Sequence, residues 1–314
     1  MKIVFFGTPE FASTILQHLL REGREVVAVI TRPDKPKGRS GSLISTPVKL
    51  TAQMQTPPIP VYQPEKVSSV DFAETLKSFN ADIFVVVAYG EILKQHVLDT
   101  PKLGCINIHA SLLPKYRGAA PIQQSIIHGE QETGITIMHM VKKMDAGDMI
   151  YQSPVSITPN MTYGELEKKL CEEGCHSISH VLNLFEKGNV KSVPQNEELV
   201  TFAPKIELED CEIDWNKSAQ ELHNLIRGVN PFPGAWCYCQ IKNSTKKIKI
   251  YKTIVKDQQG SPGSILATNK DGMVIACGKQ ALLIQELQLE GKKRMSGYEF
   301  SLGNPELIFN KTIA

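Results

Sequence analysis

The chain has 314 residues, is 41% hydrophobic and 22% charged, and carries a formal net charge of +2. That length fits about two domains, and the composition is that of an ordinary globular protein, too apolar for a disordered chain and too evenly charged for a polycation. No apolar run approaches the ~20 residues needed to span a bilayer. The apolar opening, residues 2–6, is interrupted by Gly7-Thr8-Pro9-Glu10 too early for a secretory signal, so the expectation is a cytoplasmic chain, a monomer, with no membrane partner.

The first half alternates short apolar runs with amphipathic stretches, the signature of a doubly wound, mostly parallel sheet built from βα units. Residues 2–6 read as a buried strand. Thr8 suits an N-cap and Pro9 a first helical position; Phe11, Ile15 and Leu19 form one apolar stripe, and Gly23 ends that helix. Residues 26–31 read as the next strand. The loop that follows, 32–46, is longer than the usual connection of about 2–6 residues, and sets Lys35, Lys37 and Arg39 against a single acid, Asp34. Phe72, Leu76 and Phe79 mark a helix, and residues 83–88 a strand. Residues 105–108 form the strand that ends in Asn107 and His109.

Pro121 opens a short helix to His128, and Ile135 and Ile137 alternate with polar neighbours as in a half-buried strand. Asp145-Ala146-Gly147 reads as a turn. Thr162 and Glu165 form a capping box for a helix running to about residue 187, before Gly188. Residues 190–206 lack any period and contain Pro194 and Pro204, which reads as a linker between a domain of residues 1–189 and one of 207–314. Beyond a helix near 218–226 come regularly spaced short strands, 235–238, 247–251, 264–267, 273–276 and 281–289, which suggest a small barrel or sandwich. Between Trp215 and Lys279 stand ten Lys/Arg against three acids, a local excess suited to an anionic partner or to a solvated strand face.

The chemistry concentrates at Asn107, His109 and Asp145. Residues i and i+2 of a strand share a face, so a carboxamide and an imidazole can enter one pocket. An amide donor and a proton carrier beside a carboxylate suit an acyl transfer through a tetrahedral intermediate: Asn107 and His109 donate to the oxyanion, while Asp145 orients the imidazole and favours its charged form. The carboxylate could also relay a proton through water. Taken singly, a histidine at a strand end is more often a satisfied polar residue, and an Asp before Ala-Gly a turn residue. The loop after the first strand has one glycine where a pyrophosphate cradle needs G-x-G-x-x-G, and no Walker A sequence occurs, which disfavours a nucleotide cofactor. Ser111 lacks the context of a nucleophile elbow. The seven cysteines contain no C-x-x-C pair; they read as reduced structural thiols, and ligand spacing gives little support to a zinc site from Cys171, Cys175 and His176.

Asn107-Ile108-His109-Ala110-Ser111-Leu112-Leu113-Pro114, Arg117-Gly118-Ala119-Ala120-Pro121 and Asp145-Ala146-Gly147, in that order, resemble the folate-dependent formyltransferases. So do Phe6-Gly7-Thr8-Pro9-Glu10-Phe11-Ala12, the loop 32–39 and Gly291-Lys292-Lys293-Arg294-Met295. The resemblance implies 10-formyltetrahydrofolate as a donor cosubstrate with no metal, and an OB-like barrel for the C-terminal domain. It implies a folate site walled by Tyr89, Gly90, Ile92, Ser111, Leu112, Leu113 and Pro114. As acceptor it implies initiator methionyl-tRNA, met by Lys35, Lys37 and Arg39 of the long loop and by Lys246, Lys247, Lys292 and Lys293. An amino-sugar nucleotide is the alternative acceptor for the same chemistry, and a noncatalytic tRNA- or folate-binding protein the alternative class.

Overall fold

The computed structural model describes residues 1–37, 41–242 and 244–309. Its contacts divide into two compact units. One holds residues 1–118, 133–156 and 167–203; the other holds 119–132, 157–166 and 204–314. In chain order the elements to residue 109 are β1 (Ile3–Gly7), α1 (Glu10–Arg21), β2 (Val26–Ile30), the short pair β3 (Lys35–Lys37) and β4 (Ser42–Ile44), α2 (Pro47–Gln53), β5 (Val61–Tyr62), α3 (Val70–Ser78), β6 (Ile83–Val87), α4 (Gln95–Leu98) and β7 (Cys105–His109). There follow β8 (Arg117–Gly118), α5 (Pro121–Ile127), β9 (Glu132–His139), β10 (Met149–Ser156), α6 (Tyr163–Glu186) and β11 (Phe202–Ala203).

The first unit is built on a seven-stranded sheet of order β10-β9-β7-β6-β1-β2-β5. β5, β2, β1, β6 and β7 run parallel, and β9 joins β7 antiparallel. The chain winds outward from β1 through β2 to β5, then returns to β1's other side with β6 and β7. The strand order therefore reverses beside β1, where a doubly wound sheet opens a crevice at its carboxyl ends. β1 and β6 are buried at every position, as expected for strands covered on both faces. Each such Ile, Val or Phe contributes about 1.5–3 kcal/mol relative to an exposed side chain.

The helix starts read at Pro121 and Thr162 hold, the one read at Thr8-Pro9 is displaced by a residue, and α2 and α4 are not among the expected helices. Thr162 and Glu165 close the expected capping box before α6: Glu165 Oε2 accepts from the Thr162 amide at 2.8 Å, and Thr162 Oγ1 accepts from the Glu165 amide at 3.3 Å. Thr8 does not cap α1, whose N-cap is Pro9 with no side-chain cap. Its hydroxyl instead donates to the Tyr89 carbonyl at 2.9 Å, tying the end of β1 to the loop after β6.

The second unit contains α7 (Ala219–Gly228), β12 (Ala235–Ile241), β13 (Ser244–Lys256), β14 (Ile265–Asn269), β15 (Gly272–Ala276), β16 (Ala281–Leu289), β17 (Arg294–Ser296), α8 (Gly297–Gly303) and β18 (Ile308–Phe309). Its strands form one antiparallel sheet of order β14-β15-β16-β13-β12-β18, with β17 beside β16. Register shifts at Ile250/Lys252 and Lys252/Thr253 bend the long β13, as bulges do in barrel-like sheets. Trp215, Leu222, Ile226, Ile248, Ile250, Ile275, Ile284 and Phe300 lie in its core.

Two excursions from the first half of the chain, 119–132 and 157–166, belong to this unit, and Arg227 on α7 ties both to it. The side chain is 6% exposed. Its Nη1 donates to the Met161 carbonyl at 3.2 Å and its Nη2 to that of Ile126 at 3.4 Å, while Nε donates to Asn224 Oδ1 at 3.0 Å. Nearby, His223 Nε2 lies 3.2 Å from the Pro159 carbonyl and Nδ1 2.9 Å from Thr253 Oγ1. A carbonyl only accepts, so Nε2 donates and Nδ1 accepts from the threonine hydroxyl. Burial holds this histidine below its ordinary pKa, which suits the neutral tautomer.

Candidate active site

β7 ends on the two residues singled out from the sequence. Asn107 pairs with Val86 of β6 and Met138 of β9, and His109 with Thr136. The alternation of β7 therefore puts both side chains on one face at the carboxyl end of the sheet. His109 is 5% exposed. Its Nε2 lies 2.9 Å from the Tyr116 carbonyl, and its Nδ1 3.7 Å from Asp145 Oδ2. The carbonyl fixes the proton on Nε2, which leaves Nδ1 as the nitrogen facing the carboxylate. Asn107 is half-buried, and no hydrogen-bond partner of its carboxamide occurs among the described residues. His109 and Asp145 thus face one another, and the register of β7 puts Asn107 on the same strand face as His109. One ring nitrogen of His109, Nε2, is however engaged with the Tyr116 carbonyl and not free to donate to an oxyanion.

Asp145 sits in the left-handed region, at φ 50°, a conformation an Asp tolerates. Its Oδ2 accepts from the Gly118 amide at 2.9 Å. Gly147 closes the same turn because nothing larger fits: a Cβ there would stand 1.8 Å from the His139 carbonyl oxygen. The loop between His109 and Gly118 is equally determined. Thr136, fully buried, donates from Oγ1 to the Ser111 carbonyl at 2.6 Å and accepts from the Leu113 amide at 3.1 Å. Gln152 Nε2 donates to the Leu113 carbonyl at 2.9 Å, and Ser111 Oγ to that of Lys115 at 2.6 Å. Leu113–Pro114 is a cis peptide.

Sequence reasoning missed three residues here: Arg117, Gln195 and Glu197. Arg117 is 1% exposed. Its Nε and Nη2 donate to Gln195 Oε1 at 3.0 and 2.8 Å, and Nη2 also to Glu197 Oε1 at 2.7 Å. Lys143 Nζ meets the other Glu197 oxygen at 2.6 Å. These two cations hold the Glu197 carboxyl down to about 2. Gln195 Nε2 donates to the carbonyls of Asp145 and Gly147, at 2.9 and 2.8 Å. The stretch expected as a linker, 190–206, is therefore tied to the first unit as far as Ala203: Met149 pairs with Val193, and β11 runs parallel to β8. Arg117 lay in a motif quoted for its resemblance, but no sequence signal marked Gln195.

The remaining expected folate residues differ in setting. Ser111 and Leu113 are buried, Leu112 and Pro114 partly so, and Ile92 is exposed. Gly90 has φ 86°. Tyr89 is 2% exposed, and its ring meets Phe6 edge-on at 5.6 Å, so this side chain is committed to the core. Burial, with the nearby Glu91 charge, raises its phenol to about 12.

Of the expected tRNA residues, Arg39 and the side chain of Lys37 lie outside the described residues, and Lys35 is exposed. The loop's acid is clamped at its root: Asp34 accepts from Lys49 Nζ at 2.6 Å and Gln63 Nε2 at 2.7 Å. Arg32, where the loop begins, pairs with Glu91. Asp34 is held below the usual carboxylate range, first by the Lys49 hydrogen bond and next by Gln63. A depressed folded pKa gives stabilisation that is complete above the unfolded value of about 4 and is lost as pH falls through the folded one. Lys49→Met should thus move the Asp34 titration upward, read by carboxyl carbon NMR. An unmoved midpoint would show that Lys49 is not the cause.

In the second unit Lys246, Lys292 and Lys293 are exposed. Lys246 and Lys247 are strand neighbours and so project from opposite faces. Lys247 Nζ lies 3.6 Å from the centroid of the Trp236 ring, and the Arg294 guanidinium 3.5 Å from that of Tyr251. Lys249 Nζ donates to the Pro233 carbonyl at 2.6 Å. Cations over these buried aromatic rings make this face of β12, β13 and β17 basic.

Two family descriptions match the sequence: "Formyl transferase" over residues 1–182 and "Formyl transferase, C-terminal domain" over residues 205–305. The chain belongs to the formyl transferase family. It is 59% identical over 304 residues to a methionyl-tRNA formyltransferase of Protochlamydia amoebophila, covering 96% of this chain and 95% of that one. A protein of the same name from Chlamydia pneumoniae is 43% identical, with 97% and 96% covered. Among solved structures, the sugar 3N-formyl transferase WlaRD, studied with dTDP and 5-N-formyl-THF, has a TM-score of 0.66 at 21% identity, covering 93% of this chain and 99% of that one. HypX from Aquifex aeolicus in complex with tetrahydrofolic acid has a TM-score of 0.64 at 16% identity and 96% coverage of this chain. This chain spans about half the length of HypX, 47%. At such identities these structures speak for the fold, and the α/β unit followed by an antiparallel barrel-like sheet is the family's.

Proposed function

We propose that the chain transfers the formyl group of 10-formyltetrahydrofolate to the free α-amino group of initiator methionyl-tRNA, giving N-formylmethionyl-tRNA. The observation that carries this reading is near-full-length identity of 59% to a protein named methionyl-tRNA formyltransferase. The facing of His109 by Asp145, with Asn107 on the same face of β7, supports it chemically.

In the reaction the amine nitrogen attacks the formyl carbon, and the carbonyl oxygen becomes an oxyanion. Asn107, whose carboxamide is uncommitted, is the donor suited to that oxyanion. The attacking nitrogen must lose a proton. His109 Nδ1 can take it, and Asp145, 3.7 Å away, stabilises the imidazolium that results. Collapse of the intermediate breaks the bond from the formyl carbon to N10 of the folate. The nitrogen keeps the electron pair and receives a proton, and an amide is left on the acceptor. The nucleophile comes from the acceptor, so no side chain is acylated. No helix among the described residues is long and apolar enough to cross a membrane; we take the enzyme to act in the cytoplasm.

The acceptor test uses labelled 10-formyltetrahydrofolate with charged initiator tRNA in one arm and 4-amino sugar nucleotides in the other. Label is expected on the methionyl-tRNA and none on the sugars. Brisk sugar formylation with an inert tRNA would transfer the assignment to an amino-sugar N-formyltransferase.

A further inference from the structure

Asp145 must be held in a left-handed turn with its carboxylate beside His109, yet the turn's own sequence supplies only the conformational tolerance of Asp and Gly. Gln195 supplies the rest, from a segment fifty residues downstream of Asp145. Its amide is used completely and in one orientation. Oε1 accepts twice from Arg117, which can only donate, and Nε2 donates to the carbonyls of Asp145 and Gly147, which can only accept. Flipping the amide would break all four contacts. Arg117 is in turn anchored by Glu197, and the next residue, Gly118, gives its amide proton to Asp145 Oδ2. The Asp145 backbone is thus fixed from one side and its carboxylate from the other.

We infer that Gln195, oriented by Arg117, is a positioning residue of the formyl-transfer site: it clamps the 145–147 turn so that the Asp145 carboxylate stays against His109. The kinetic part of this inference rests on the function proposed above. The geometric part does not.

Gln195→Glu is the informative change. It keeps length and the acceptor for Arg117 but sets a carboxylate oxygen against two carbonyl oxygens. Three quantities should be measured on the full chain. Hydrogen exchange of the Gly118 amide should speed up by about tenfold or more, because its acceptor is no longer held. With methionyl-tRNA and 10-formyltetrahydrofolate, kcat should fall by about 10–100-fold with both KM values within about twofold, since a displacement near 1 Å can cost about that much rate. In an Asp145→Ala background the same change should alter kcat by less than about twofold, because residues acting through one another are not additive. A thermal melt shows whether the variant folds, and Gln195→Met, which removes both donors without adding charge, serves if it does not. Unchanged Gly118 exchange and unchanged kcat in a folded variant overturn the inference. So does a full additional loss in the Asp145→Ala background, which would mark Gln195 as merely structural. If the wild type formylates neither acceptor, the proposed function fails on its own, and Gly118 exchange still decides for or against the clamp.

Discussion

His109→Ala and Asn107→Ala should each lower kcat by a factor on the order of 10²–10³, the usual cost of deleting one donor or proton carrier aimed at a developing charge. The two losses should differ in kind. Asn107 is half-buried and no partner of its carboxamide occurs among the described residues, so its removal leaves no orphaned group, and the protein should melt as the wild type does. His109 is buried between the Tyr116 carbonyl and Asp145, so its removal also strands a carbonyl and a carboxylate, and some stability should go with the rate, about 1–3 kcal/mol. Single-turnover kinetics beside a thermal melt separate the two effects. Near wild-type turnover in a folded His109→Ala protein would remove this residue from the chemistry.

Raising salt from 50 to 200 mM should lower kcat/KM for charged initiator tRNA by a factor on the order of 10³, linearly on a log–log plot, while donor affinity barely changes. Each phosphate neutralised by a lysine or arginine releases condensed counterions, so the slope counts contacts at about 0.7–0.9 each. Lys292 and Lys293 are exposed and suited to such contacts. Replacing both with glutamate should flatten the slope by about one to two units. Lys247 and Arg294 already lie over aromatic rings; neutralising them should cost ring packing as well as charge. A flat salt response with tRNA would mean that uncharged contacts, not the basic face, carry acceptor binding.

Much of the site was readable in advance because it is local. A strand ending in Asn107 and His109 declares their common face through a two-residue period, and Thr162 declares a helix start through Glu165 three residues on. What escaped notice is held together at a distance. Thr8 has the chemistry of a cap, yet its hydroxyl serves Tyr89, 81 residues away. Gln195 stands in a stretch without hydrophobic period, since its part is to bond backbone carbonyls, and such contacts leave no mark in composition. The expected linker thus proved tied to the first unit by Gln195, Val193 and β11, while the excursions at 119–132 and 157–166 were invisible for a similar reason: Arg227 holds them by carbonyl groups that every residue possesses.

That arginine also sets a timetable. The Ile126 carbonyl and Arg227 are 101 positions apart. At a synthesis rate of about 5–20 residues per second, the ribosome needs roughly 5–20 s to travel from one to the other. During that interval α5, and later the 157–166 segment, are made with no α7 to receive them, and the barrel-like sheet that forms the rest of their unit has yet to be made. The nascent chain must therefore carry the apolar α5 and the backbone carbonyls of Ile126 and Met161 without their arginine until its last third appears.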